Sequence, residues 1–158
     1  MTEPGATQPT YQAHGEGRRV AWPRLAQATA VATLIAVVGN AALYLLASAA
    51  GLVNERVVLP SLIGMGPLSL ATVALTSAVA VVGAGILLGV LAATTRRALK
   101  MFRIVASALA LLSLSMPATI PGPSSAMRLT MALMHVMVWA VSVGVLPTLA
   151  SRRPEVTA

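Results

Sequence analysis

The chain contains no cysteine and no aspartate, and its four glutamates stand outside the long uncharged stretches, at Glu3, Glu16, Glu55 and Glu155. The absence of cysteine excludes disulfides, thiolate metal sites and cysteine nucleophiles. A proton-coupled antiporter needs a carboxylate inside the membrane, so the positions of the glutamates disfavour that class. Charged residues make up only 9% and hydrophobic residues 57% of the 158 positions. This composition is typical of a protein embedded in a lipid bilayer.

Four long apolar stretches dominate what is present, and they predict membrane spans at residues 25–53, 67–93, 100–117 and 127–149. The third stretch is the shortest, and it crosses the hydrocarbon only if Lys100 and Arg103 extend back to the interface. Backbone groups in hydrocarbon must pair internally, so helices are expected despite the β-branched content. We therefore predict an all-α integral membrane four-helix up-and-down bundle over residues 21–150.

The positive charges lie on alternate connections between these stretches. Nine of the eleven Lys and Arg residues precede the first stretch, separate the second from the third, or follow the fourth: Arg18, Arg19, Arg24, Arg96, Arg97, Lys100, Arg103, Arg152 and Arg153. The other connections hold only Arg56 and Arg128. Short loops rich in Lys and Arg remain on the cytoplasmic side, which predicts a multi-pass protein of the cell membrane with both termini in the cytoplasm.

The segments outside the stretches are short. Residues 1–20 are polar and predict a disordered cytoplasmic tail, and residues 151–158 predict a second, short cytoplasmic tail. The connection at residues 54–66 is apolar for a loop, and its proline and glycines argue against one continuous helix. It is expected to lie on the outer surface or to fold over the bundle. A proline-rich outer turn is expected between the third and fourth spans, at Pro117, Pro121, Gly122 and Pro123.

His135 is the only histidine within an apolar stretch. Ionisable groups inside a membrane are costly and usually face the bundle interior, which makes His135 the leading functional candidate. Asn40, Tyr44 and Ser113 fall near the midplane or in the outer half, so a small polar pocket opening outward is one hypothesis. The plainer interpretation is that such groups bond a neighbouring helix or their own backbone.

Small residues mark two helix faces. Gly85 and Gly89 stand four residues apart in the second span, a spacing that lets two helices approach closely in lipid. Packing within the chain is the preferred interpretation, and a homodimer seam is the alternative. In the first span, a stripe with the same spacing offers a partner face, formed by Ala28, Ala32, Ala36 and Asn40.

Two local patterns carry a family resemblance. The third span ends in LSLSMPA, at Leu112 to Ala118, and the fourth contains ALMHVMVWA, at Ala132 to Ala140. With its four spans, the chain resembles a family of small bacterial four-helix membrane proteins that is catalogued only as a domain of unknown function. The resemblance covers about residues 20–150. It implies the topology and marks the position of His135, but it implies no mechanism.

Other absences limit the function further. The sequence shows no metal-ligand cluster, no nucleophile beside a base and no phosphate-binding loop, and one intramembrane histidine cannot supply the axial ligands of a di-haem cytochrome. We therefore expect no enzymatic activity, no metal and no cofactor. The expected partners are the lipid bilayer and another membrane protein or a second copy, with no nucleic acid. The first hypothesis is a non-enzymatic component that binds a membrane protein or lipid. The alternative is a small channel or carrier for a neutral or apolar solute.

Overall fold

The computed structural model describes residues 21–53, 58–61, 64–119 and 121–151. This part of the chain is all-α apart from one short β-hairpin, so the predicted fold class is confirmed at that level. The elements are α1 (Trp22–Ala49), β1 (Val58–Ser61), β2 (Gly64–Pro67), α2 (Leu70–Thr94), α3 (Ala98–Thr119), α4 (Ser125–Ala140), a π-helical segment (Val141–Val145) and α5 (Leu146–Ser151). Four helices are long and apolar enough to cross a membrane: α1, α2, α3 and the continuous helix Ser125–Ser151. The predicted tail at residues 1–20, residues 152–158 of the predicted tail at 151–158, and Arg56 lie outside the described residues, whereas Ser151 ends α5.

Helix α1 ends before its apolar stretch does, because of a glycine. Gly51 has φ 70°, a conformation that residues with a Cβ rarely adopt. Its N–H donates to the Ser48 carbonyl at 2.9 Å, and the Leu52 N–H donates to the Ala47 carbonyl at 2.9 Å. These two bonds satisfy carbonyls at the end of α1 and turn the chain towards β1.

Serine side chains begin two of the other helices. The Ser69 hydroxyl accepts a hydrogen bond from the Thr72 N–H at 3.2 Å, and the Ser124 hydroxyl accepts one from the Met127 N–H at 3.2 Å. Each bond satisfies an N–H group that has no carbonyl partner in the first helical turn. Helices α2 and α4 therefore start where the sequence supplies a cap.

The connection between α3 and α4 is shorter than the sequence predicted. Pro117 was expected in the outer turn, but it lies inside α3, which continues to Thr119. The Thr119 hydroxyl reaches the Ser115 and Met116 carbonyls at 3.1 and 3.2 Å. It thereby satisfies carbonyls of the last turn, which allows the helix to persist beyond the proline.

The connection between α1 and α2 contains a hairpin that the sequence did not predict. Strands β1 and β2 pair antiparallel, with Val58 opposite Pro67 and Ser61 opposite Gly64. Two residues, 62 and 63, separate the strands and lie outside the described part of the chain. Proline is tolerated in such a pair because both strands are edges.

A π-helical segment interrupts the last apolar helix. Pro147 has no N–H and cannot donate to the carbonyl four residues earlier. Just before it, the Leu146 N–H bonds the Val141 carbonyl, five residues back. The wider turn places the proline within a continuous helix, and Leu146 and Pro147 are both buried.

Large and small side chains are distributed in the opposite way from a water-soluble protein. The predicted stripe of α1 is buried, and its members are small or polar: Ala28, Ala32, Ala36 and Asn40. Large apolar side chains point outwards instead, with Leu46 exposed by 70%, Leu111 by 71% and Leu112 by 68%. A surface of this kind suits hydrocarbon rather than water.

The helix contacts define two ends of the molecule. Helix α1 packs against α2, α4 and α5, and α3 packs against α2 and α4. One core cluster joins the start of α1 to the end of α2, the start of α3 and α5. We call this the basic end, because five of the six described Lys and Arg residues stand in or beside these segments. A smaller cluster joins Met127 and Met131 of α4 to Leu68 just before α2, and we call this side, which includes the β-hairpin, the hairpin end.

Candidate functional site

A buried asparagine links three helices near the middle of the molecule. Asn40 of α1 is only 2% exposed. Its Nδ2 group donates to the Ser77 hydroxyl of α2 at 2.9 Å and to the Met134 carbonyl of α4 at 3.2 Å. The Ser77 hydroxyl donates in turn to the Val73 carbonyl at 2.7 Å. We call Asn40, Ser77 and the Met134 carbonyl the polar node.

The orientation of the Asn40 amide follows from these partners. The Met134 carbonyl can only accept, and the Ser77 hydroxyl already uses its proton on Val73. Both bonds therefore need the two N–H groups of the amide. The Oδ1 atom is buried without a hydrogen-bond partner among the described residues. An unpaired buried acceptor costs free energy, so this oxygen is the place where a small donor would be stabilised.

His135 bonds its own helix. Its Nδ1 atom lies 2.7 Å from the Met131 carbonyl, one turn earlier in α4, and the side chain is half-buried. Trp139, one turn later on the same face, donates from Nε1 to the Ser107 hydroxyl of α3 at 3.1 Å. His135 therefore lies on the side of α4 that faces α3, whereas the polar node approaches α4 from α1.

The other two predicted pocket residues also bond elsewhere. The Tyr44 hydroxyl donates to the Leu68 carbonyl at 3.3 Å, next to the hairpin. The Ser113 hydroxyl donates to the Ala110 carbonyl of its own helix at 2.8 Å. In the described part of the chain, no hydrogen bond links His135, Asn40, Tyr44 and Ser113 to one another.

Sequence reasoning missed Ser77 as the partner of Asn40. Gly85 and Gly89 pack against the first half of α1 in antiparallel order, and continuing that order places Asn40 within a turn of Ser77. Asn40 needs a polar partner when buried, and Ser77 is a polar side chain at that depth of α2. That register is known only from the structure, and Thr72 and Thr76 lie at the same depth, so the sequence alone did not single out Ser77.

Glycines set the distance between α1 and α2. A Cβ added at Gly85 would lie 2.7 Å from Cγ2 of Thr29 and closer still to its hydroxyl oxygen. A Cβ added at Gly89 would lie 2.9 Å from the Trp22 ring and 3.1 Å from a Leu25 methyl group. Both glycines are buried within the chain, and in this structure they serve contact between α1 and α2.

An apolar groove runs along the exposed side of this helix pair. Its volume is about 700 Å³, and its walls are almost wholly apolar. Small residues and larger side chains line it together: Ala26, Ala30 and Gly85 with Trp22, Leu34 and Ile86. The Thr33 hydroxyl also lines it and has no hydrogen-bond partner among the described residues. We call this feature the α1/α2 groove.

Most of the described cations lie at the basic end, where Trp22 begins the groove. Of the six Lys and Arg residues in the described part of the chain, five lie at the basic end: Arg24, Arg96, Arg97, Lys100 and Arg103. The sixth, Arg128, lies at the hairpin end, where its guanidinium donates to the carbonyls of Ala118 and Pro123 and so joins the end of α3 to the start of α4. Within the described residues, no group of three or more His, Cys, Asp or Glu is placed to hold a metal ion.

These features define a class: an all-α protein with four apolar helices compatible with several membrane crossings. The chain matches the Family of unknown function (DUF6069) over residues 20–154 and belongs to that family. The predicted resemblance to a family of unknown function is thereby confirmed. Comparison with curated proteins and with solved structures found no match.

Proposed function

We propose that this protein is a multi-pass component of the cell membrane that acts by binding lipid or another membrane protein rather than by catalysis. Its four apolar helices form an up-and-down bundle, with both termini in the cytoplasm. The supporting observation is the gathering of five described cations at one end of an otherwise apolar molecule. Cationic loops remain on the cytoplasmic side and attract anionic head groups there.

The polar side chains support a binding role because they are engaged in structure. Asn40 and Tyr44 bond neighbouring segments, and Ser113 and His135 bond carbonyls of their own helices. Groups held in this way fix the helices and present no nucleophile beside a base. The outward-facing leucines and valines instead offer a broad apolar surface to lipid or to another helix.

The topology can be tested by cysteine labelling, because the chain contains no cysteine of its own. Thr94 lies at the basic end and Ser125 at the hairpin end, and both are exposed. In intact cells, we expect an impermeant maleimide to label Ser125→Cys and to leave Thr94→Cys unlabelled until the cells are lysed. Labelling of Thr94→Cys from outside would contradict the proposed orientation.

The binding role calls for gentle extraction of the full chain from native membranes, followed by native mass spectrometry and chemical crosslinking. We expect adducts of phospholipid mass or a crosslinked membrane-protein partner. A chain that emerges alone in every extraction, with neither lipid nor protein attached, would contradict the proposed role.

The alternative function is a small channel or carrier for a neutral or apolar solute. One observation favours it: the Asn40 Oδ1 atom is buried and has no donor among the described residues. A solute that carries a hydroxyl or amide could donate to it. Uptake assays in cells that express Asn40→Leu or His135→Ala at normal levels test this function, and unchanged uptake would remove it.

A further inference from the structure

The α1/α2 groove has the length and lining that a single acyl chain requires. It follows α1 from Trp22 to Val37, about 22 Å at the helical rise of 1.5 Å per residue. One leaflet of the hydrocarbon core is about 15 Å thick, so an acyl chain that enters at Trp22 remains in contact with the groove over its whole depth. Because Ala26 and Ala30 are small and exposed, hydrocarbon can lie along the exposed side of the helix pair, over the close contact between α1 and α2 at Gly85.

The charges beside the groove mouth indicate what head group such a chain carries. Arg24 follows Trp22 by two residues, and Gly89 packs against Trp22, which places the end of α2 and the exposed Arg96 and Arg97 on the same side. Basic pockets between helices on the cytoplasmic side bind anionic lipid head groups. A phosphate there would lie among several positive charges.

We propose that the α1/α2 groove is a binding site for one acyl chain of an anionic phospholipid, whose phosphate lies beside Arg24. This site deepens the proposed membrane function and depends on it. A second copy of the chain fits the groove less well, because two copies in the same orientation would bring their basic ends together and repel one another. An anionic lipid neutralises those charges instead.

Trp22 provides a local probe of this site. Tryptophan fluorescence is quenched by contact with bromine, and the chain has only two tryptophans, Trp22 and Trp139. In a Trp139→Phe background, we would reconstitute the full chain with phosphatidylglycerol brominated near the upper end of its acyl chains, or with phosphatidylcholine brominated in the same way. We expect saturable quenching that is stronger with brominated phosphatidylglycerol than with brominated phosphatidylcholine. Unbrominated phosphatidylglycerol should reverse this quenching.

Two matched variants locate the lipid. Ala30 lines the groove and Ala42 does not, and both are exposed on α1. Ala30→Phe should fill the groove and abolish the excess quenching by phosphatidylglycerol, and Ala42→Phe should preserve it. Arg24→Gln should lower the preference for phosphatidylglycerol about fivefold, the factor expected for one interfacial arginine.

The outcomes separate this site from the wider function. Equal quenching by both lipids, or unchanged quenching in Ala30→Phe, overturns the groove site. If the chain still retains phospholipid in native mass spectrometry in that case, the proposed membrane function stands without this site. If neither lipid nor a partner is retained, the wider function fails as well. A dimer that Ala30→Phe dissociates would identify a second copy as the occupant and overturn the lipid site.

Discussion

The basic end and the hairpin end of the molecule are held together by different interactions. At the basic end, α1 and α2 meet through Gly85 and Gly89, with contacts too close to admit a methyl group without a shift. Towards the hairpin end, hydrogen bonds cross between elements, from Asn40 to Ser77, from Tyr44 to Leu68 and from Arg128 to the end of α3. The contact between α1 and α2 at the basic end depends on shape, and the contacts of Asn40, Tyr44 and Arg128 are polar.

This difference reflects the two means by which helices associate in lipid. Hydrocarbon solvates leucine as well as a protein core does, so apolar burial provides little drive between helices. Close packing of small residues and hydrogen bonds between helices remain. The comparison therefore predicts that added side-chain volume at the basic end, and lost hydrogen bonds towards the hairpin end, lower the free energy of unfolding.

The largest effect is expected from Gly85→Ala. The new methyl group would overlap the Thr29 side chain and force α1 and α2 apart, which should lower the free energy of unfolding by about 1–3 kcal/mol. Unfolding in mixed micelles, with increasing fractions of denaturing detergent, measures this change.

Gly83→Ala is the matched control, because a Cβ at Gly83 meets nothing within 4 Å. It should leave stability unchanged or raise it slightly, since alanine is the better helix former. Adding Thr29→Ala to Gly85→Ala should restore most of the lost stability. If Gly83→Ala and Gly85→Ala cost the same, the basic end is not held by close packing.

A smaller effect is expected at the polar node. Asn40→Ala removes the hydrogen bonds to Ser77 and to the Met134 carbonyl, and interhelical bonds in membranes average about 0.6 kcal/mol with a maximum near 1.7. We expect a loss of about 1–2 kcal/mol for Asn40→Ala, measured by the same unfolding titration.

The double variant isolates the bond between the two side chains. Ser77→Ala and Asn40→Ala together should cost less than the sum of the single changes, by about 0.6 kcal/mol. Ser115→Ala is the control, because the Ser115 hydroxyl is exposed and bonds the Leu112 carbonyl of its own helix. Strict additivity of the two node substitutions would show that this bond does not stabilise the fold in the membrane.

The parts of the fold that follow from a regular pattern in the sequence could be predicted, and the parts without such a pattern were missed. Uncharged length located the four apolar helices, and four-residue spacing identified the buried stripe from Ala28 to Asn40. The hairpin was missed because residues 58–67 are few and apolar, without alternation that distinguishes a strand from a loop. Pro117 was misplaced because proline usually ends a helix, while Thr119 satisfies carbonyls of the final turn here.

The polar residues could be found from the sequence, but their partners could not. An apolar background makes Asn40 and His135 conspicuous, and depth along a span indicates which residues share a level of the membrane. Which face each helix presents to its neighbours depends on rotation about its axis. That rotation places Asn40 against Ser77, and it puts His135 one turn before Trp139, which bonds Ser107 of α3.

The smallest effect is expected from His135→Leu. The described bond of His135 runs to Met131 of the same helix, so its loss should cost less than the ~0.6 kcal/mol of an average interhelical bond. Ser107→Ala is the comparison, because it removes the bond that Trp139, one turn along the same face, makes to α3. Ser107→Ala should therefore cost more than His135→Leu in the unfolding titration. The reverse order would mean that His135 reaches another helix in the bilayer, and α4 would then contribute to a second polar node near the middle of the molecule.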